Sequence, residues 1–142
     1  MKWQTYNEVE PSEKSEVIDA LIAYNDSRAP KENFLELEKY IRDSDGKVVG
    51  GVIGYTHWGW LFIKQFWVHE SVRGKGAGTH LMNVIEQSAA ERGCESVYLD
   101  TFDFQALPFY EKLGFKVFCT LENFPKGHKR IFVKKEISDA LK

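Results

Sequence analysis

The chain has 142 residues, a length that fits one domain with a core of its own, and its formal charge of −2 supplies no basic face for a polyanion such as a nucleic acid. No apolar run approaches the ~20 residues of a membrane span, and the start, Met1-Lys2-Trp3-Gln4, lacks the apolar stretch of a secretory signal. Cys94 and Cys119 have neither CxxC spacing nor metal-site partners, so reduced structural thiols in a cytoplasmic protein are expected, and no metal.

In chain order, residues 2–6 read as a short first strand, with Trp3 and Thr5 supplying β-propensity. Ser12, Ser15 and Glu16 offer N-caps for a helix whose Val17, Ile18, Leu21 and Ile22 make one apolar face, expected to pack inward. The polar stretch 24–30 breaks that helix and is long enough to reach a site. Over residues 34–42, Leu35 and Leu37 alternate with Glu36 and Glu38, which suits a strand from about Leu37 onward. Asp45-Gly46 marks a tight turn into a return strand over residues 47–56. Gly50, Gly51 and Gly54 within it point to a bulge or a close backbone approach. Trp58-Gly59-Trp60 turns again into an apolar strand over residues 61–68. The two tryptophans either pack across this hairpin or line a pocket rim.

A glycine-rich stretch follows, Val72-Arg73-Gly74-Lys75-Gly76-Ala77-Gly78-Thr79, and then an amphipathic helix over residues 77–92 with Leu81, Ile85 and Ala89 on one stripe. Gly93 ends it. Residues 96–101 form a strand expected to lie parallel to the preceding one, because a helix joins them. A second helix over residues 105–113 tolerates Pro108 in its first turn and stops at Gly114. Residues 115–121 and 129–135 close as an antiparallel pair. These elements sum to one α/β domain spanning residues 1–142, with a mixed, mostly antiparallel sheet.

Strand, glycine turn and helix in that order make an anion site. Glycines let backbone come close to a phosphate, and the unpaired N–H groups at a helix start point at it. Arg73 and Lys75 add positive charge; the alternative for both is a solvated loop position. The run GxxxxGK[ST] of a P-loop does not occur, and GxGxxG fails because Thr79 follows Gly78. What remains is Arg-x-x-Gly-x-Gly, from Arg73 to Gly78.

That pattern, within Val68-His69-Glu70-Ser71-Val72-Arg73-Gly74-Lys75-Gly76-Ala77-Gly78, and a second one, Phe109-Tyr110-Glu111-Lys112-Leu113-Gly114-Phe115, together resemble the GNAT family of acyl-CoA-dependent N-acetyltransferases. The resemblance implies a central sheet of about seven strands with flanking helices, whose fourth and fifth strands are parallel and splay apart around acetyl-CoA. It implies that Arg73, Gly74, Lys75, Gly76, Ala77, Gly78 and Thr79 hold the pyrophosphate. Trp67 and Val68 would pair with the pantetheine amides as an added strand does. Family members often carry Asn ahead of the second helix; here Asp103 stands at that spacing, and Gln105 is the candidate to serve instead.

Transfer to an amine needs a deprotonated amine, a polarised thioester carbonyl and a protonated leaving thiol. By the same resemblance Tyr110 is the general acid, the alternative being a core tyrosine, and an N–H near Val68 polarises the carbonyl. Glu70, just past the fourth strand, has the best address for the base, and an exposed loop carboxylate is the alternative. Asp100, Glu122, His57, His69 and His128 are weaker candidates with structural readings. The expected partner is a small-molecule or peptide amine, with no nucleic acid and no membrane, bound by a monomer or homodimer. A non-catalytic acyl-CoA-binding module is the rival reading; it would keep the glycine turn and lose the acid.

Overall fold

The computed structural model describes residues 2–141. The chain forms two compact units, Met1–Glu32 and Asn33–Lys142. The first is built on helix α1, Pro11–Asp26. Its start is a capping box on Glu10 and Glu13 with Pro11 in the first turn, so the helix begins ahead of the serines expected to cap it. Two expectations fail in this unit. Residues 2–6 form no strand, since a strand exists only through a ladder partner and these residues have none. Val17, Ile18, Leu21 and Ile22 are exposed, because this unit holds no other element to cover them.

The second unit runs β1 (Leu35–Arg42), β2 (Val48–His57), β3 (Trp60–Val68), α2 (Ala77–Glu91), β4 (Ser96–Phe102), α3 (Leu107–Lys112), β5 (Lys116–Glu122) and β6 (Lys129–Glu136). The sheet has six strands, not seven, in the order β1-β2-β3-β4-β6-β5. Only β3 and β4 pair in parallel, because α2 carries the chain back to the starting edge between them. The β2–β3 hairpin turns on Trp58 (φ 44°) and Gly59 (φ 76°), the left-handed pair that matches strand twist. The return strand β6 slots between β4 and β5, a topology that hairpin reasoning along the chain does not foresee.

Alternation assigns the two faces of the sheet. On β4, Val97, Leu99 and Thr101 are buried, whereas Ser96, Tyr98, Asp100 and Phe102 are half-buried on the opposite face. The buried set joins Leu61, Ile63 and Val133 against Leu81, Met82, Ile85 and Ala89 of α2. Each buried Leu, Ile, Val or Met side chain among these contributes about 1.5–3 kcal/mol. Two polar pins fix the helix. The Glu86 carboxylate, 2% exposed, meets Lys135 Nζ at 3.1 Å, and that ammonium also donates to the Leu113 carbonyl at 3.0 Å. Burial pushes the Glu86 carboxyl up, and the Lys135 charge opposes it. At the other end Arg92 donates to the carbonyls of Leu35 (3.2 Å) and Glu36 (3.0 Å) and to Thr56 Oγ1 (3.0 Å), tying α2 to the edge strand β1.

The feature that positions the site is where β3 leaves β4. Their ladder runs from Trp60 opposite Ser96 to Ile63 opposite Leu99 and then stops. At the same level the β2–β3 register slips: Ile53 faces Gln65 but Gly54 faces Ile63, leaving Lys64 as the extra residue of a bulge. A bulge bends its strand and raises its twist. A Cβ at position 54 would overlap the Phe62 carbonyl oxygen, so only glycine lets β2 follow the bend. Beyond it, Lys64 to Val68 and Asp100 to Phe102 diverge.

Candidate active site

The divergence leaves a cleft of about 940 Å³. One wall is β3, with Phe66, Trp67 and Val68; the other is the end of β4, with Asp100 and Thr101. Its floor is α3, through Phe109 and Tyr110, and the glycine turn closes one end. Gly78 makes this closure tight: a Cβ there would sit 3.1 Å from Phe109 and 3.4 Å from Phe66.

In the turn, Gly74 (φ 76°) and Gly76 (φ 84°) adopt left-handed backbone that side-chain-bearing residues avoid, and Gly76 is the N-cap of α2. No described residue accepts a hydrogen bond from the N–H groups of Gly74 through Thr79; the first helical bond comes from His80 N–H to the Gly76 carbonyl. A run of unspent donors at the positive end of a 15-residue helix suits a pyrophosphate. Arg73, Gly74, Gly76, Ala77, Gly78 and Thr79 all line the cleft, while Lys75 is exposed and outside the lining. The Arg73 guanidinium folds back, its Nε donating to the Val68 carbonyl at 2.9 Å.

Tyr110 lies in the core cluster, 7% exposed, with its ring against Phe66, Phe109 and Phe115. Its hydroxyl has no hydrogen-bond partner among the described residues. Burial, and after it the negative charge of Asp100, push the phenol up to about 12, so it is fully protonated at neutral pH. Gln105 also lines the cleft, but its carbonyl oxygen is occupied by Thr101 Oγ1 (3.1 Å) and Phe102 N–H (2.9 Å). That leaves its amide NH₂ to face a ligand. Asp103 is engaged elsewhere, accepting from Lys129 N–H at 3.1 Å and meeting His128 Nδ1 at 3.0 Å.

The structure does not bring Glu70 to this cleft. It sits exposed in the short turn Glu70–Val72 that follows β3, and His69, whose Nδ1 accepts from Ser71 N–H at 3.0 Å, caps that turn. Trp58 and Trp60 are outside the lining too; Trp60 packs edge-on against Tyr98, with centroids 5.6 Å apart. Glu122 is exposed, 3.9 Å from Lys129. Asp100, one of the weaker candidates by sequence, does line the cleft, and its carboxylate holds Arg130 Nε at 2.8 Å. The signal was the strand alternation: Asp100 shares a face with Tyr98 and Phe102, where a carboxylate has no core reason to be. Among the described residues no group of His, Cys, Asp and Glu could hold a metal ion, and no helix is long and apolar enough to cross a membrane.

A family model for the acetyltransferase (GNAT) family matches residues 2–115. The chain is 35% identical over 117 residues to the acetyltransferase Atu2258 of Agrobacterium fabrum, covering 82% of this chain and 85% of that one. It is 33% identical over 93 residues to the blasticidin-S acetyltransferase of Streptomyces morookaense, covering 65% and 68%. The crystal structure of an acetyltransferase from Bacillus cereus superposes with a TM-score of 0.85 at 34% identity, covering 94% of this chain and 97% of that one. The family match over most of the chain, with a relative 35% identical across 82% of it and a solved acetyltransferase of the same fold, shows that the chain belongs to the acetyltransferase (GNAT) family.

Proposed function

We propose that this acetyltransferase moves the acetyl group of acetyl-CoA directly onto a primary amine, with no acyl-enzyme intermediate. Acetyl-CoA is the cosubstrate of the family, and the residues present suit it. The unspent N–H groups of residues 74–79 would hold the pyrophosphate, and the unpaired edge of β3 at Trp67 and Val68 would take the pantetheine amides. The cleft offers no cysteine or serine as a nucleophile, which favours direct attack by the acceptor.

The observation that carries the reading is the Tyr110 hydroxyl, protonated, without a partner among the described residues and inside the cleft. A donor left over in an apolar site stabilises charge that develops on a leaving sulfur. Handing its proton outright to a thiolate of ordinary pKa near ~8.5 would be uphill by about 5 kcal/mol. Tyr110 therefore donates a hydrogen bond to the sulfur and passes a proton only in step with one arriving from the amine. The relative named for blasticidin S makes amine-bearing antibiotics the first acceptors to try.

Thiol release from acetyl-CoA, measured against a panel containing blasticidin S, an aminoglycoside, a polyamine, lysine and a peptide N-terminus, tests the reading. Turnover with one class supports it and names the acceptor. Acetyl-CoA that raises the melting temperature while every amine stays inert would favour the binding-module alternative.

A further inference from the structure

Asp100 stands at the vertex of the cleft. On β4 it is the first residue past Leu99, the last one paired with β3. Its side chain is 13% exposed, and it is the one carboxylate among the residues that line the cleft. The cleft-lining cations Lys64, Arg73 and Lys112 leave it the single point of negative charge there. One oxygen is engaged: Oδ1 accepts from Arg130 Nε at 2.8 Å. Arg130 is itself held, its guanidinium 4.9 Å from the Phe124 ring and 5.2 Å from the Phe132 ring, so the carboxylate has a fixed orientation. Oδ2 has no hydrogen-bond partner among the described residues. An ionised carboxylate has acceptor room on both oxygens, so with Arg130 on Oδ1 the other oxygen is open to a donor entering the cleft.

Resting on the transferase reading above, we infer that Asp100 receives the acceptor's ammonium group at Oδ2 and takes its first proton, so that this site selects amines that arrive charged. An alkyl amine, with a pKa near ~10.4, arrives almost entirely as R–NH₃⁺ at neutral pH. One proton passes to Oδ2. The freed lone pair forms the C–N bond at the thioester carbon, and the carbonyl π pair moves to oxygen. As that pair returns, the C–S bond breaks and sulfur leaves with its electrons. The second nitrogen proton reaches sulfur by way of the Tyr110 hydroxyl, which ends as it began, and Asp100 releases its proton to water. One ammonium and one thioester become one amide, one thiol and one released proton. The influence of Asp100 on Tyr110 is independent support, because it places the two groups within electrostatic reach of each other.

Two small probes separate this role from a structural one: ethylamine, charged at neutral pH, and hydroxylamine, uncharged there. Thiol release from acetyl-CoA is followed with each, for the wild-type protein, Asp100→Asn and Asp100→Ser, with melting curves and calorimetric acetyl-CoA binding on every variant. The expected result is that the ratio of ethylamine to hydroxylamine rates falls roughly 100-fold in both variants, the scale of a lost proton acceptor, with acetyl-CoA affinity within about threefold of wild type. Equal losses for the two nucleophiles, or an unaltered ratio, would overturn the inference and leave the transferase reading standing. A wild-type protein that binds acetyl-CoA but is inert to both probes and to every amine of the panel above would overturn both.

Discussion

Replacing Tyr110 by Phe separates chemistry from architecture in one substitution. The hydroxyl makes no hydrogen bond among the described residues, so its removal orphans no partner there and the ring keeps its contacts with Phe66, Phe109 and Phe115. Stability at pH 7 is expected within about 0.5 kcal/mol of wild type, and acetyl-CoA binding is expected to survive. Turnover should fall about 10²- to 10⁴-fold, the range for a lost proton-transfer group. A second readout comes from linkage. The phenol has an ordinary pKa of 10.0 when unfolded and about 12 when folded. Raised in the folded state, it favours folding fully below pH 10, and that contribution is lost as pH climbs toward 12. Two pH units correspond to about 3 kcal/mol. Urea unfolding at pH 9 and at pH 11.5 should therefore show wild type losing more stability than the Phe variant over that interval. Parallel losses in the two proteins would sink the burial argument, and undiminished turnover would remove Tyr110 from the chemistry.

Gly54→Ala forces a Cβ into the Phe62 carbonyl; a destabilisation of about 2–4 kcal/mol, read by urea titration, is expected along with weaker acetyl-CoA binding. Milder effects would mean that the bulge relaxes without losing the cleft. Lys135→Met removes the partner of a carboxylate that is 2% exposed, so a loss of about 3–5 kcal/mol is expected, and adding Glu86→Gln should recover much of it. Absence of any recovery in the double variant would refute the pairing. Gly76→Val meets no neighbouring atom but must adopt φ 84°, so it costs about 1–2 kcal/mol of strain and turns the phosphate donors away. Calorimetry should show acetyl-CoA affinity down by more than about tenfold, and retained affinity would move the phosphate site elsewhere.

The local punctuation of the chain was legible. Asp45-Gly46, Trp58-Gly59 and Gly93 act through their own backbone conformation, so a few residues suffice to specify hairpins and helix ends. Gly54 was visible as an oddity, but whether it served a bulge or a close approach needed its neighbour across the ladder. Long-range pairings were the harder part. The first strand was expected from Trp3 and Thr5, yet propensity cannot supply the ladder partner that residues 2–6 lack. Asp100 and Arg130 are 30 residues apart and meet only because β6 inserts beside β4. The glycine turn could be read whole because the helix start and its donors are contiguous. Glu70 carried the expected base on sequence adjacency alone, and adjacency sent it into an exposed turn.

The bulge at Lys64 gives this sheet a third edge, in its middle. Outer edges such as β5 invite pairing with any passing strand, and proteins guard them with charge or twist. An interior edge needs no such guard. It lies between β3 and β4, with α3 beneath it. On the proposed reading, such a cleft would sort by cross-section before any specific contact forms, taking a flexible amide tether in preference to a folded surface. The gap in this sheet thus goes with one residue too many on one strand and one side chain too few on the next.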